Sequence, residues 1–256
     1  MTISVRSVSK TFNSAKGNVL AVTDVNLNIA PGEFVSILGP SGCGKSTLLL
    51  MMAGLEPTSS GVINVDSVPV LEPRRDFGLI FQDPTLLPWL TAEQNVLFPI
   101  RMMRLDVNAY RDRARELLKR VGLADAIDRR PAEMSGGMRQ RVALCRSLIH
   151  DPAKIFMDEP FSALDALTRE EMAHVLLALW DGEQGSKTRL GVFVTHSIRE
   201  AVLLSDRVIV MGKRPSKVRI DLAIDFPRPR SAAIQETSQF NALVAELRRH
   251  IEPSIH

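Results

Sequence analysis

Five short, strand-like runs stand out along the chain: Phe34–Leu38, Phe77–Phe81, Ile155–Met157, Val192–Thr195 and Val208–Met211. Each is rich in β-branched or aromatic residues and helical patterns lie between several of them, which predicts a largely parallel sheet covered by helices. From Thr91 to Arg130 the strand signal disappears, and Val107, Ala114, Leu117, Leu118 and Val121 keep near-helical spacing up to Gly122, a residue suited to a helix C-cap. A helical insertion is expected there. Before Phe34 the pattern alternates instead, through Val19, Ala21, Val25, Leu27 and Ile29 to the turn Pro31-Gly32, and predicts a small antiparallel sheet within the first 30 residues. After Met211 come a short strand, Val218–Ile220, and a final helix whose stripe of Phe240, Leu243, Val244, Leu247 and Ile251 should pack on the domain.

Composition narrows the class. The 256 residues are 45% hydrophobic and 24% charged, an ordinary globular balance that excludes a disordered or fibrous chain. The apolar run Leu48–Leu55 is far shorter than the roughly 20 residues that span a bilayer. The first residues show neither an apolar signal core nor a cleavage site, so a cytosolic location is expected. Cys43 and Cys145 are expected to be reduced thiols, because two cysteines do not make a disulfide framework. A net charge of +3 and scattered arginine pairs (Arg74-Arg75, Arg129-Arg130, Arg248-Arg249) read as solvated faces, and no nucleic-acid partner is expected.

Chemistry enters with Gly39-Pro40-Ser41-Gly42-Cys43-Gly44-Lys45-Ser46, which matches G-x-x-x-x-G-K-[ST] between the strand Phe34–Leu38 and the helical run Thr47–Ala53. Such a loop turns consecutive backbone N–H groups into one concavity in front of a helix N-terminus, where phosphate oxygens bind. Lys45 would reach the β- and γ-phosphates, and the Ser46 hydroxyl would ligate Mg²⁺. Asp158 and Glu159 end the apolar strand Ile155–Met157; Asp158 is expected to hold the metal, and Glu159 to accept a proton from an attacking water. Ser135-Gly136-Gly137 reads as a serine N-cap whose two glycines expose helix N–H groups to a second anion. His196 and Gln82 each follow a strand, and neither decides a role by itself.

Together these segments resemble the ATP-binding subunit of ABC transporters. Walker A is GPSGCGKS, the Q-loop Gln82, the signature MSGGM, Walker B IFMDEP, the D-loop Ser162 to Asp165 and the switch histidine His196. Leu86-Leu87-Pro88-Trp89, SGGMRQR, EPFSALDALTREEM and the late stretch that runs from Arg214-Pro215 to FPRPR resemble the nitrate, sulfonate and taurine importer branch. Importers of pyrimidine vitamin precursors carry similar features.

The resemblance implies an α/β fold: a P-loop NTPase core with a mostly parallel sheet (1–88 and 150–211), a small N-terminal antiparallel β subdomain, an inserted α-helical subdomain (89–149) and a C-terminal tail (212–256). It implies a head-to-tail homodimer that sandwiches two ATP molecules. Lys45 and the loop Gly39 to Thr47 would hold the phosphates. Ser135, Gly136 and Gly137 of the other subunit would close on the γ-phosphate, Phe12 would stack on adenine, and Asp165 would lie at the dimer seam. Ser46, Gln82 and Asp158 would serve Mg²⁺, while Glu159 and His196 would act on the attacking water. Phe12 stands where tyrosine is more usual, and Met138 where the signature most often has glutamine. The implied partners are integral membrane permease subunits and, indirectly, a solute-binding protein, with the chain peripheral to the cytoplasmic face of the inner membrane. A soluble ABC ATPase acting on DNA or ribosomes is the competing class; the stretch between Lys45 and Ser135 is too short for the coiled coils of DNA-repair relatives, and the chain has one nucleotide motif set where translation-linked relatives have two.

Overall fold

The computed structural model describes residues 2–14, 17–180 and 189–251. Residues 252–256 of the expected tail and 181–188 of the expected core lie outside these described residues. No helix among them is long and apolar enough to cross a membrane.

The main sheet has six strands: β3 (Phe34–Leu38), β6 (Phe77–Ile80), β7 (Lys154–Asp158), β8 (Leu190–Val194), β9 (Arg207–Met211) and β10 (Val218–Ala223). Their order is β10-β9-β3-β8-β7-β6, parallel except for the edge strand β10, which runs antiparallel to β9. Every residue of β3 and β8 is buried, as expected where both faces of a parallel sheet are covered. This explains why these strands read as continuous apolar runs.

The second sheet is antiparallel, in the order β2-β1-β4-β5, from β1 (Ile3–Ser14), β2 (Gly17–Ile29), β4 (Ser60–Val65) and β5 (Val68–Pro69). The expected sheet within the first 30 residues is therefore only half of it. The other strands come from beyond the first helix, and their signal is weak because half of β4 and all of β5 are exposed. Lys154, buried at the start of β7, is held by Asp66 at 2.8 Å and Asp76 at 3.4 Å, so a charged side chain links the two sheets without an unpaired buried charge.

Helices fill three apolar clusters. One lies between the sheets around α1 (Lys45–Met52); a second packs α4 (Gly136–Leu148), α5 (Ala166–Trp180), α6 (Ile198–Leu204) and α7 (Ser238–Ile251) on the other face. The third joins α2 (Ala92–Met102), α3 (Arg111–Arg120) and α4. Because α4 contributes to both the second and third clusters, the helical insertion and the main sheet share one element. Thr91 and Gln94 close a capping box at the start of α2.

The proline-bearing stretch after β10 is anchored by arginine. Arg230 donates to the carbonyls of Val202, Leu203, Ser205, Ile224 and Phe226 and meets Asp206 at 3.2 Å. Arg129, Arg130, Arg248 and Arg249 are exposed as expected, whereas Arg74 pairs with Asp76 at 2.9 Å. Beyond this anchor α7 packs on α6, with Phe240 fully buried beside Phe226 and the Arg199 guanidinium 4.9 Å from its ring centre. Phe240→Ala should lower stability by about 3–5 kcal/mol through lost burial and a cavity. A urea-unfolding midpoint equal to wild type would show that α7 lies outside the cooperative unit.

Candidate functional site

Parallel pairing brings three loops to one end of the main sheet. Val194 of β8 pairs with Ile37 of β3 on one side and Asp158 of β7 on the other. Backbone bonds from Glu159 N to Val194 O (2.9 Å) and from Thr195 N to Ile37 O (3.2 Å) extend this registration past the strands. The loop beginning at Gly39, the Asp158-Glu159 pair and His196 thus leave adjacent strands side by side, at the edge where open α/β sheets bind ligands.

The loop Gly39 to Ser46 wraps around a buried cation. Lys45 Nζ donates to the carbonyls of Gly39 and Pro40, both at 3.1 Å, and lies 3.5 Å from Glu159 Oε1. Gly44 caps α1 with φ +112° and no side-chain bond to the helix, leaving the first-turn N–H groups for a ligand. A side chain at Gly44 would also place its Cβ 2.8 Å from Val22 Cγ2, so the loop's fit against β2 requires glycine. Ser41 and Gly42 are exposed, Cys43 is buried and Thr47 is half-buried in α1. Arg214, from the turn after β9, donates to the Gly42 carbonyl at 2.7 Å; the late arginine-proline stretch contains it, but no role was expected of it.

Opposite the loop, Ser46 Oγ donates to Asp158 Oδ1 at 2.7 Å. Burial pushes the Asp158 carboxyl above its ordinary range and nearby Glu159 adds to this, while the Ser46 hydroxyl and Lys45 pull it down. A hydroxyl and a carboxylate oxygen in contact are a hard-oxygen donor set that fits Mg²⁺, with remaining positions left to water and phosphate. Gln82 is exposed just after β6 and makes no hydrogen bond with Ser46 or Asp158 among the described residues. It lines a cavity of about 430 Å³ with Gly136, Gln140 and Leu164 instead.

Glu159 departs from strand geometry, with φ +43°, a conformation that costs an ordinary residue roughly 1–2 kcal/mol. Its carboxylate lies between Lys45 and His196, whose Nδ1 is 3.1 Å from Oε2. The structure thus joins Lys45, Ser46, Asp158, Glu159 and His196 in one network.

Other expected site residues lie outside that network. Ser135 Oγ accepts from Met138 N at 3.2 Å and caps α4, with exposed Gly136 and buried Gly137 in the first turn. Asp165 accepts from both N (3.0 Å) and Oγ1 (2.7 Å) of Thr168, and these bonds lower its carboxyl's pKa. Phe12 is partly exposed on β1, with Lys10 Nζ 5.0 Å from its ring centre. Trp89 is exposed, on a segment that the buried Asn95 holds through Leu87, Leu90 and Thr91 and that Arg146 holds through Pro84 and Thr85.

The chain matches the ABC transporter family over residues 22–162. It is 46% identical over 224 residues to a taurine import ATP-binding protein of Burkholderia pseudomallei (strain K96243), covering 87% of this chain and 84% of that one. It is 41% identical over 231 residues to an aliphatic sulfonates import ATP-binding protein of Bacillus cereus (strain ZK / E33L), covering 90% and 89%. Among solved structures, the ATP-binding cassette MJ0796, a dimer in a post-hydrolysis state with ADP and Pi, superposes with TM-score 0.76 at 34% identity over 88% of this chain and 100% of that chain.

Gly137 ties two of the separate motifs together. A Cβ there would lie 2.7 Å from Thr168 Cγ2, and Thr168 can yield only by turning its hydroxyl away from Asp165. Gly137→Ala should therefore destabilise by about 1–3 kcal/mol despite the better helix propensity of alanine. Adding Thr168→Ser, which removes the crowded methyl and keeps the hydroxyl, should recover most of the loss in a urea titration; no recovery would place the strain elsewhere.

Proposed function

The chain belongs to the ABC transporter family of ATP-binding proteins, and we propose that it hydrolyses ATP to drive import of a small solute of the taurine or sulfonate class, with nitrate a further candidate, through separate permease subunits. The convergence of Lys45, Ser46, Asp158, Glu159 and His196 at the ends of three parallel strands carries this reading. The named functions of the relatives support the solute class.

In this reading the N–H groups of Gly39 to Thr47 and the Lys45 ammonium bind the β- and γ-phosphates, and Phe12 stacks on the adenine. Ser46 and Asp158, with Gln82, would hold Mg²⁺, and the bound ion would neutralise phosphate charge. Lys45 lies against Glu159, so phosphate that engages the lysine leaves the carboxylate to His196 and the attacking water. Glu159 then takes the water's proton, and His196 contacts the γ-phosphate and orients the water.

A second copy completes the site. Ser135, Gly136 and Gly137 from the partner present the α4 N-terminus to the γ-phosphate, and Asp165 lies at the seam between copies. A dimeric ABC cassette among the similar structures supports this arrangement. The helical insertion, with exposed Trp89 on its pinned segment, forms the surface for the permease, since tryptophan is a common anchor of protein interfaces. That places the chain peripherally at the cytoplasmic face of the membrane, with a solute-binding protein acting from the far side.

Glu159→Gln should retain ATP binding, accumulate a closed dimer by size-exclusion chromatography with ATP, and lose about 10²–10⁴-fold in turnover. Steady-state hydrolysis near wild type would assign the base to another residue. Ser135→Arg should block hydrolysis while the monomer still binds nucleotide, and undiminished turnover would rule out the shared site.

A further inference from the structure

A set of polar contacts behind His196 is not used by the phosphate site. Glu200, on the first turn of α6, is buried, yet its carboxylate Oε2 accepts from Thr195 Oγ1 at 2.6 Å. With its proton committed to Glu200, the same hydroxyl oxygen accepts from Ser197 N at 3.0 Å. Ser197 Oγ in turn accepts from Glu200 N at 3.3 Å. The residues on either side of His196 are thus both held from Glu200, while the His196 side chain itself is 49% exposed. Since neighbouring packing covers only half of this imidazole, its placement depends on the backbone that carries it.

The other carboxylate oxygen of Glu200 faces α5, where Arg169 Nε lies 3.8 Å from Oε1. The same guanidinium donates to the carbonyls of Phe161 (3.3 Å), Ser162 (3.5 Å) and Leu164 (3.0 Å). Ser162 closes the circuit by donating its N–H (3.1 Å) and Oγ (2.9 Å) to the Glu159 carbonyl. A planar guanidinium that grips three carbonyls in a fixed fork cannot follow that segment without changing its distance to Glu200. Burial raises the Glu200 carboxyl's pKa while Thr195 and Arg169 oppose the shift, so the charge of this group depends on both contacts.

We propose that Arg169 and Glu200 are a positioning pair that couples segment 161–165, which ends at Asp165, to the placement of His196. Movement of that segment when a second copy arrives is delivered through Arg169 to Glu200, and through Thr195 and Ser197 to the imidazole. The proposal rests on the reading of the site as an ATPase completed by a second copy. Neither residue touches the reacting atoms, so the pair acts on turnover and leaves nucleotide affinity alone.

The test compares steady-state ATP hydrolysis, ATP affinity and thermal unfolding of the full chain with Arg169→Ala, Glu200→Gln, their double variant, Thr195→Val and Thr195→Ser. Arg169→Ala, Glu200→Gln and Thr195→Val should each lower kcat by about 10- to 100-fold with KM within about twofold, as expected for misplacement of a catalytic group. Thr195→Ser, which keeps the hydroxyl, should stay near wild type. The double variant should be no slower than the slower single, because either change severs the same link. Near-wild-type kcat in Arg169→Ala and Glu200→Gln, or losses that multiply in the double variant, would overturn the pair while leaving the ATPase reading intact. A wild-type chain that hydrolyses no ATP would overturn both. If Arg169→Ala or Glu200→Gln does not fold, the contrast between Thr195→Ser and Thr195→Val carries the test, and equal kcat for those two overturns the proposal.

Discussion

The registration of β3, β8 and β7 across Val194 is the constraint on which the site depends. Parallel strands in fixed register deliver their C-terminal ends at one level, so residues far apart in sequence emerge within hydrogen-bond distance of one another. Lys45, Glu159 and His196 meet for this reason and not through any local contact along the chain. A shift of one residue in β7 would exchange the directions of Asp158 and its neighbours, because side chains alternate across a strand. Burial of both faces of β3 and β8 resists such a slip.

Electrostatics then make the site a poised arrangement. A buried ammonium is satisfied by two loop carbonyls and a carboxylate, and a half-buried carboxylate is held with its proton affinity raised by burial. Both charges are retained at a cost that an anion and a cation brought together would relieve. The left-handed backbone at Glu159 adds local strain at the same place. A phosphate ester accompanied by a divalent ion matches this pattern better than either charge alone.

Around that centre the protein is organised by shared elements. Helix α4 packs in both the insertion and the main-sheet cluster, and its first turn touches Thr168 of α5 through Gly137. Thr168 in turn binds Asp165, so the signature turn and the segment before α5 are mechanically one unit. Arg230 and Phe240 fasten the C-terminal arm to α6, the helix that follows His196. The arm is therefore part of the packing behind the histidine.

The phosphate loop, the acidic pair, the serine-capped helix and the family resemblance were legible from residues alone, because each depends on short-range backbone chemistry or on side chains at fixed spacing. The five strand runs were equally legible, since burial on both faces leaves an unbroken apolar signature. Strands β4 and β5 escaped because the exposed first half of β4 and the two exposed residues of β5 carry no such pattern, and the strand order escaped because hydrogen bonding between distant strands leaves no local trace. Arg169, Arg214 and Arg230 stood in motifs that only marked the importer branch and Glu200 in none, and tertiary structure alone gave all four their partners. The amino-acid order determined which groups could bind phosphate and move a proton; the fold decided which of them meet, because distance through space is set by the parallel sheet and not by separation along the chain.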